Sequence, residues 1–429
     1  MKTLLKHVNV LDGTLDMKLI EDVDILIDGE NIAKIDKNID QKVNKVIDLN
    51  GKYVCPGLIN LHVHLPASGK IAKKQAADQK RLVAFIQKTH LTRKVGLDIC
   101  ASYAKNDLYS GVTTLRAVGG ISNFDSKLAK LVLANKKVGP RIIAADTAVG
   151  VPGGHMDMTV SKAAHSVQEA VSLVEKVASN GAQLIKLMIT GGILDCKEIG
   201  HPGDLKMPPE YVKACCDKAH ELGLKVAAHV ESNEGIKVAI ENGVDTIEHG
   251  SFIEDSLCEQ LKARNGALVC TLSPAVPLAK LDYHEYYGNE AMQENSKVLL
   301  NGFIECSNKC LAHGVKVGLG TDTGCPLITH YDMWREVVYF SKFINGVTPS
   351  FALHTATEVN ASILGLEDKI GTIKEGKCAD ILVLDNNPLD DLTILRNPYM
   401  VIARGKTYKG KIKHYQEVDD KLDTLLKSI

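Results

Sequence analysis

The sequence predicts an α/β protein: a (β/α)8 TIM barrel with a small β-sandwich domain that is formed by the N-terminal and C-terminal segments. Two observations support this prediction. Strand-like and helical segments alternate through the middle of the chain, while both ends are rich in short strands separated by turn residues. The 429 residues suffice for a barrel and an accessory domain. We therefore assign 1–56 and 365–415 to the small β domain, 57–364 to the barrel, and 416–429 to a C-terminal helix or tail.

The two ends share one composition. The segments "LLKHVNVLDG", "DVDILIDGENIAKID" and "KVIDLNGKYVCPG" are apolar runs broken by Asp-Gly, Gly-Glu-Asn and Asn-Gly turn signals. Near the other end, "IGTIKEGKCADILVLD" and "PYMVIARGKTYKGKI" have the same character. We expect these two sets of strands to meet in one domain.

Between the ends, eight strand candidates can be counted. They are 58–65, 112–117, 141–145, 184–189, 225–230, 246–249, 267–272 and 316–321. Helical segments such as "SVQEAVSLVEKVASNG", "PEYVKACCDKAHELG", "EGIKVAIENG" and "SLCEQLKARNG" lie between them, and each closes with the Gly expected after a helix. Eight strands with helical crossovers fit the barrel. A doubly wound sheet is the alternative, but it would normally show a Gly-rich phosphate loop after its first strand.

Composition excludes several classes of function. The net charge is −1, so nothing favours nucleic acid or an anionic membrane as a partner. The N-terminal apolar run is too short for a signal sequence, and no segment reaches about 18 apolar residues, so we expect a cytoplasmic protein. Eleven scattered cysteines fit reduced thiols, with Cys306 and Cys310 sharing a helix face. The sequence is compatible with a homo-oligomer and does not determine the oligomeric state.

Polar side chains collect where the predicted strands end. In "GLINLHVHL", His62 and His64 lie two apart and therefore point to one face of a strand. Lys186 interrupts the apolar run "LIKLMIT", where a charged lysine is costly, so its pKa should fall unless the ammonium reaches solvent or a carboxylate. Three further strands end at His229, His249 and Asp322. Each residue alone could be structural, but together they converge on the face where barrel enzymes carry their chemistry.

These motifs resemble the metal-dependent amidohydrolase superfamily. The resemblance runs nearly end to end, through "VCPGLINLHVHL", "GVTTLRAVGG", "LIKLMITGG", "KVAAHVES", "DTIEHGS", "GLGTDTG" and "GTIKEGKCADILVLD". It is greatest for the branch of prolidase-like dipeptidases, carboxypeptidases and imidazolonepropionase-related proteins. It implies two divalent ions, one bound by His62, His64 and Asp322 and the other by His229 and His249, with Lys186 as an N6-carboxylysine bridge. Imidazole and carboxylate ligands suit zinc, with manganese and cobalt as alternatives.

The resemblance also implies a reaction. A water activated by the metals would attack an amide carbonyl, with Asp322 taking its proton and passing it to the leaving amine. Mononuclear deaminases of this superfamily usually carry a Glu three residues after the fifth-strand histidine, whereas this chain has Ser232 there and Glu231 one position earlier. The sequence therefore predicts hydrolysis of amide or peptide bonds in small substrates, by a dipeptidase, carboxypeptidase or N-acyl amino acid hydrolase. A cyclic amide hydrolase, a deaminase, an isomerase or lyase, and a noncatalytic scaffold are the alternatives.

Four residues are candidates for binding the substrate. Arg116 and His155 follow the second and third strands, where either could bind a carboxylate or instead be structural. Glu231 could contact a basic group of the substrate or lie at the rim. Tyr283, in "DYHEYYGNE", is predicted to lie on a long loop over the site, where a solvated loop is the simpler interpretation.

Overall fold

The computed structural model describes residues 1–71, 76–195, 198–200 and 202–429. Within these ranges the strands are β1 (Lys2–Leu11), β2 (Leu19–Asp28), β3 (Asn31–Asp36), β4 (Lys45–Asp48), β5 (Tyr53–Pro56), β6 (Leu58–Val63), β7 (Val112–Ala117), β8 (Arg141–Ala144), β9 (Ala148–Gly150), β10 (Ser161–Ala163), β11 (Leu184–Met188), β12 (Lys225–Val230), β13 (Thr246–His249), β14 (Ala267–Cys270), β15 (Lys316–Leu319), β16 (Ile381–Leu384), β17 (Met400–Ala403) and β18 (Lys406–Tyr408).

The helices alternate with the strands of the middle of the chain. They are α1 (Ala76–Gln87), α2 (His90–Tyr109), α3 (Phe124–Leu133), α4 (Val167–Asn180), α5 (Pro209–Glu221), α6 (Asn233–Glu241), α7 (Asp255–Ala263), α8 (Leu272–Lys280), α9 (Glu290–Ala312), α10 (Met333–Phe343), α11 (Pro349–His354), α12 (Asn360–Leu364) and α13 (Gln416–Ser428). Short 3-10 helices lie at Ile193–Asp195, Tyr283–Tyr286 and Leu392–Arg396, and a π-helical turn lies at Thr355–Val359.

The chain divides into two compact units. Unit 1 comprises residues 1–60, 105–115 and 331–413, and unit 2 comprises residues 61–104, 116–330 and 414–429. The domain boundaries expected from the sequence, with 1–56 and 365–415 in the small β domain, stay a prediction.

Strands from both ends of the chain form a single sheet of eight strands. Its order is β18-β17-β16-β5-β1-β2-β3, with β4 beside β1. The N-terminal and C-terminal strands meet where β5 pairs antiparallel with β16, and Val54 lies opposite Val383. Both valines belong to a buried apolar cluster with Leu5 and Ile25. The expected meeting of the two ends is confirmed, but the strands are joined in one sheet, so the two-sheet sandwich is not confirmed.

All eight strands predicted for the middle of the chain are present, as β6, β7, β8 and β11 to β15. They lie in a three-stranded sheet, β6-β7-β8, and in a parallel seven-stranded sheet, β10-β9-β11-β12-β13-β14-β15. One hydrogen bond, from the Gln183 N–H to the Ala144 carbonyl, and one isolated bridge, Val63 to Thr323, join residues at the edges of these sheets. The protein therefore has the expected mixed α/β class, but its described strands do not form one closed hydrogen-bonded barrel.

The predicted helices are confirmed with small shifts of boundary. In α4, the Ser166 side chain accepts a hydrogen bond from the Glu169 N–H, and Gly181 ends the helix in the left-handed conformation that favours glycine. The strand predicted at 267–272 ends at Cys270 instead, because Leu272 begins α8. Cys306 and Cys310 are buried on α9, and the cysteines of the described part are free thiols. Among the described residues, we find no helix with the length and hydropathy that a membrane span requires.

Candidate metal centre

The first part of the site joins the end of β6 to Asp322, which lies three residues after the end of β15. The Nε2 atoms of His62 and His64 lie 3.4 and 3.2 Å from Oδ1 of Asp322. The Asp322 N–H donates to the His62 carbonyl at 2.9 Å, which fixes the two segments side by side. A side chain at Gly320 would place its Cβ 2.5 Å from the Cβ of His62, so this close approach requires glycine. The structure thus brings the HxH pair and Asp322 together.

The second part lies at the ends of β12 and β13. His229 and His249 have ring centroids 4.7 Å apart, and the ring of His249 lies the same distance from that of His62. Two groups have potential ligand atoms within 4.8 Å of one another: His62, His249 and Asp322 in one, and His229, Glu231 and His249 in the other. His249 belongs to both groups. The geometry therefore places two candidate metal positions side by side.

Lys186, on β11, carries a buried amine. The residue is 1% exposed, and its Nζ has no hydrogen-bond partner among the described residues. Burial lowers its pKa to about 8, although the negative charges of Glu248 and Asp322 oppose the shift. A lowered pKa is the shift that the sequence predicts for a lysine within an apolar strand. A neutral amine is the form that can react with carbon dioxide, and the lowered pKa increases the fraction of Lys186 in that form.

The protonation states in this cluster suit metal ligands. Burial lowers the pKa of His249 to about 3 and lowers the pKa of His62 and of His229 well below the ordinary value, so all three rings are neutral. Burial alone would raise the pKa of Asp322, but its hydrogen bond with His64 and the nearby histidines hold that pKa below its usual range. Neutral imidazoles, a carboxylate and an unpartnered amine are a donor set that fits divalent ions.

Glu231 lies closer to this cluster than the sequence suggested. It is buried, its Oε2 has no hydrogen-bond partner among the described residues, and it forms a potential ligand group with His229 and His249. Burial raises the pKa of this carboxyl well above its ordinary value, and the charges of Asp322 and Asp195 add to the effect. A buried carboxyl oxygen without a partner, beside histidines, is a further indication that the cluster is built for a cation.

Arg116 lies in the interior behind the histidines. Its Nη2 donates to both carboxylate oxygens of Glu248 at 2.7 and 2.8 Å, and its Nε donates to the Leu61 carbonyl at 2.7 Å. Oε2 of Glu248 also lies 2.8 Å from Nδ1 of His62. The sequence analysis missed Glu248, although an acidic residue inside the apolar strand "TIEH" was a signal that could have identified it. The guanidinium of Arg116 therefore already holds a carboxylate from the protein.

The other two substrate candidates, His155 and Tyr283, lie in different surroundings. His155 stacks on His229, with ring centroids 4.0 Å apart and an angle of 6° between the planes, and its Nδ1 lies 2.5 Å from Oδ2 of Asp195. Asp195 was also missed by the sequence analysis. Tyr283 begins a 3-10 helix within the segment that was predicted to be a loop, and its ring stacks on His284. Contact of His155 and Tyr283 with substrate stays a prediction.

The sequence and the structure were compared with known proteins. The sequence profile of the amidohydrolase family matches residues 53–408. A solved structure from Bifidobacterium longum, provisionally named a prolidase, superposes with a TM-score of 0.85 at 32% identity and covers 99% of this chain and 98% of its own. A Xaa-Pro dipeptidase with methionine bound in its active site superposes with a TM-score of 0.82 at 28% identity, covering 96% of this chain and 100% of its own.

Curated relatives have more varied activities. Ochratoxinase of Aspergillus niger is 25% identical over 71% of this chain, and the match spans 66% of the length of that relative, slightly less than two thirds. A 5-methylthioadenosine/S-adenosylhomocysteine deaminase of Dictyoglomus thermophilum is 25% identical over 90% of this chain and 85% of its own length. Similar chains therefore include both hydrolases and a deaminase.

Proposed function

The chain belongs to the amidohydrolase family, and on that premise we propose that it is a metal-dependent hydrolase that acts on C–N bonds. The reaction that the site supports best is hydrolysis of an amide or peptide bond in a small substrate with a free carboxylate, as in dipeptides and N-acyl amino acids. The observation that carries this proposal is the convergence of four buried or half-buried histidines and Asp322, together with the unpartnered amine of Lys186, which acts electrostatically on three of these histidines.

The proposal assigns each ligand to one of two divalent ions, for which zinc suits the donors best. His62, His64 and Asp322 would hold the first ion, and His229 and His249 the second, with Lys186 joining them as a carbamate. When bound, the ions would supply the Lewis acidity that lowers the pKa of an attacking water and polarises the substrate carbonyl. We also propose that the eight middle strands form a (β/α)8 barrel with this site at their C-terminal ends.

Asp322 is the group that we propose for proton transfer. Its carboxylate is ionised near neutral pH, since its hydrogen bond with His64 and the nearby histidines outweigh the effect of burial on its pKa. It would accept a proton from the attacking water and then deliver it to the departing amine, which is otherwise a poor leaving group. Cys325 donates a hydrogen bond to Oδ2 of Asp322 at 3.2 Å and so helps to orient the carboxylate.

The substrate proposal centres on His155. Its ring stacks on that of His229, and its Nδ1 is hydrogen-bonded to Asp195, so a substrate group bound beside the second ion would lie near His155. The Xaa-Pro dipeptidase neighbour binds methionine in its active site, which supports an amino acid as part of the substrate. Arg116 would have to leave Glu248 to bind a carboxylate. The proposal also includes Tyr283, which would cover an apolar side chain of the substrate.

A deaminase is the second candidate, and Glu231 is the observation that favours it. Its buried carboxyl, with a raised pKa and one oxygen without a partner, lies with His229 and His249 and could serve as an acid toward a leaving ammonia. The deaminase relative supports this alternative. The presence of Lys186 and the offset of Glu231 by one residue from the usual deaminase position favour amide hydrolysis.

The test is a comparison of matched substrates on zinc-loaded protein. One assay compares N-acetyl-methionine and a Met-Pro dipeptide with their C-terminal amides, and a parallel assay measures ammonia release from adenosine derivatives. We expect turnover of the acids, weaker turnover of the amides, and loss of activity in the Asp322→Asn variant. Equal turnover of acids and amides would contradict the carboxylate requirement, and ammonia release without amide hydrolysis would establish the deaminase.

A further inference from the structure

We infer that the Arg116–Glu248 pair makes the two metal positions unequal, so that the position of His62, His64 and Asp322 binds its ion more tightly than that of His229 and His249. Glu248 acts as a positioning residue, because it touches His62 and not the reacting atoms. The inference rests on the proposed function in one respect, namely that the cluster binds two divalent ions.

The Glu248 carboxylate is the centre of a closed buried network. It is fully buried, and it accepts hydrogen bonds from Nη2 of Arg116 on both oxygens and from the Thr246 hydroxyl at 2.7 Å on Oε1. Nη1 of Arg116 donates in turn to the Thr246 hydroxyl at 3.1 Å. The guanidinium of Arg116 thus donates to both oxygens of this carboxylate, which is the geometry of a buried, charge-assisted ion pair.

The contact with Glu248 determines which nitrogen of His62 carries the proton. Oε2 of Glu248 lies 2.8 Å from Nδ1 of His62, and a carboxylate can only accept there, so Nδ1 must donate. The lone pair of the neutral ring is then on Nε2, the atom that faces Asp322 at 3.4 Å. A carboxylate behind a histidine fixes the tautomer and raises the basicity of the ligating nitrogen.

Apart from the contact between His64 and Asp322, the other histidines of the cluster have neutral partners. Nδ1 of His64 lies 2.9 Å from the Gly119 carbonyl, Nδ1 of His249 lies 2.7 Å from the Thr271 hydroxyl, and Nε2 of His229 lies 3.2 Å from the Gly191 carbonyl. A hydrogen bond to an ionised acceptor is about twice as strong as one between neutral groups. The strongest support in the cluster is therefore at His62, which places the tighter ion on its side.

The sequence builds this network with strand periodicity. Thr246 and Glu248 are two apart on β13, so they project from the same face of that strand. His62 and Arg116 come from β6 and β7. Thr246 and Glu248 on β13 thus both contact Arg116, and Glu248 also contacts His62.

The experiment measures affinity for metal, independently of turnover. Protein stripped with a chelator is titrated with Zn²⁺ in competition with a chromophoric chelator, and Co²⁺ is used in parallel for its visible absorption. Wild-type protein should bind two ions with distinguishable dissociation constants. The Glu248→Gln variant should weaken the tighter site by about 10- to 100-fold and leave the weaker site unchanged.

The matched control is Thr271→Val, which removes the neutral partner of His249. It should weaken the weaker site more than the tighter one, the reverse of the effect of Glu248→Gln, although His249 belongs to both groups of potential ligands. Circular dichroism checks that each variant is folded. If Glu248→Gln does not fold, ¹⁵N NMR of the metal-free wild-type protein still tests the inference, with the His62 signal identified by its loss in His62→Gln. The spectrum of the wild-type protein should show that Nδ1 of His62 carries the proton.

The outcomes separate the inference from the proposed function. Two sites of equal affinity in the wild-type protein, unchanged affinities in Glu248→Gln, or a His62 proton on Nε2 would overturn the inference and leave a binuclear hydrolase intact. Failure of the wild-type protein to bind any divalent ion would instead overturn the proposed function, and the inference with it.

Discussion

Replacement of Arg116 by Met tests whether this arginine serves the fold or the substrate. Methionine keeps much of the length and apolar stem of arginine but removes the guanidinium. Glu248 would lose its bonds at 2.7 and 2.8 Å, and the Leu61 carbonyl would lose its donor at 2.7 Å. The carboxylate would then be a buried charge with only Thr246 and His62 as partners.

The expected loss of stability is large. Removing one partner of a buried ion pair destabilises a protein by about 3–5 kcal/mol, because the remaining charge stays desolvated. That is a substantial share of the roughly 5–15 kcal/mol by which native proteins are usually stable. We therefore expect Arg116→Met to lower the free energy of unfolding of the metal-free protein by about 3 kcal/mol or more.

Urea unfolding followed by far-UV circular dichroism measures this change. The control is Arg81→Met, because Arg81 is exposed on α1 and such surface substitutions usually change stability by less than about 0.5 kcal/mol. The double variant Arg116→Met with Glu248→Met should recover part of the loss, since it removes the stranded charge as well. A loss below about 1 kcal/mol together with a raised KM for carboxylate substrates would refute this account and support substrate binding by Arg116.

Three further expectations concern other buried groups. Asp322→Asn should leave a folded protein whose kcat is lower by about 10²-fold or more in a hydrolysis assay. Lys186→Ala should reduce metal content by elemental analysis as well as activity, and short carboxylic acids should partly restore both; full activity with two bound metals would contradict the bridge. Burial, and then the charge of Asp146, raises the pKa of Asp125 well above its ordinary value. The folded state therefore keeps that proton at a higher pH than the unfolded state, so this group costs stability as the pH rises above about 4. Relative to wild type, Asp125→Asn should be increasingly more stable in urea unfolding as the pH rises, and a difference independent of pH would contradict the shift.

The secondary structure of the middle of the chain was predictable because its signals are local. Apolar runs located β11 and β12, and a helical segment closed by a Gly located α4. The three-residue strands β9 and β10 were missed, since such short segments carry too few side chains for a periodic pattern. Closure of a barrel and the division of strands between sheets depend on pairing between distant residues, which no local pattern encodes.

The site was predictable to the extent that its residues break a local pattern. His62 and His64 stand out by their spacing of two, and Lys186 stands out because it interrupts an apolar strand. Glu248 interrupts a strand in the same way, but the ligand pattern singles out only its neighbour His249. The partner of Glu248, Arg116, lies 132 positions away in the chain. Such a partnership is visible only once β7 and β13 are brought together, so from the sequence alone Arg116 could equally be a substrate-binding or a structural residue.

The balance of buried charge links the protonation state of Glu231 to the binding of the proposed ions. Arg116 and Glu248 offset each other, which leaves Lys186, Asp322 and Glu231 as the other buried ionisable groups beside the histidines. Without ions, burial and the charge of Asp322 raise the pKa of Glu231 and favour its neutral form. Two divalent ions carry more positive charge than Asp322 alone can balance, and a nearby cation favours ionised carboxyls. We therefore expect the neutral carboxyl of Glu231 and the free amine of Lys186 to belong to the metal-free protein, and the carboxylate and the carbamate to accompany the ions.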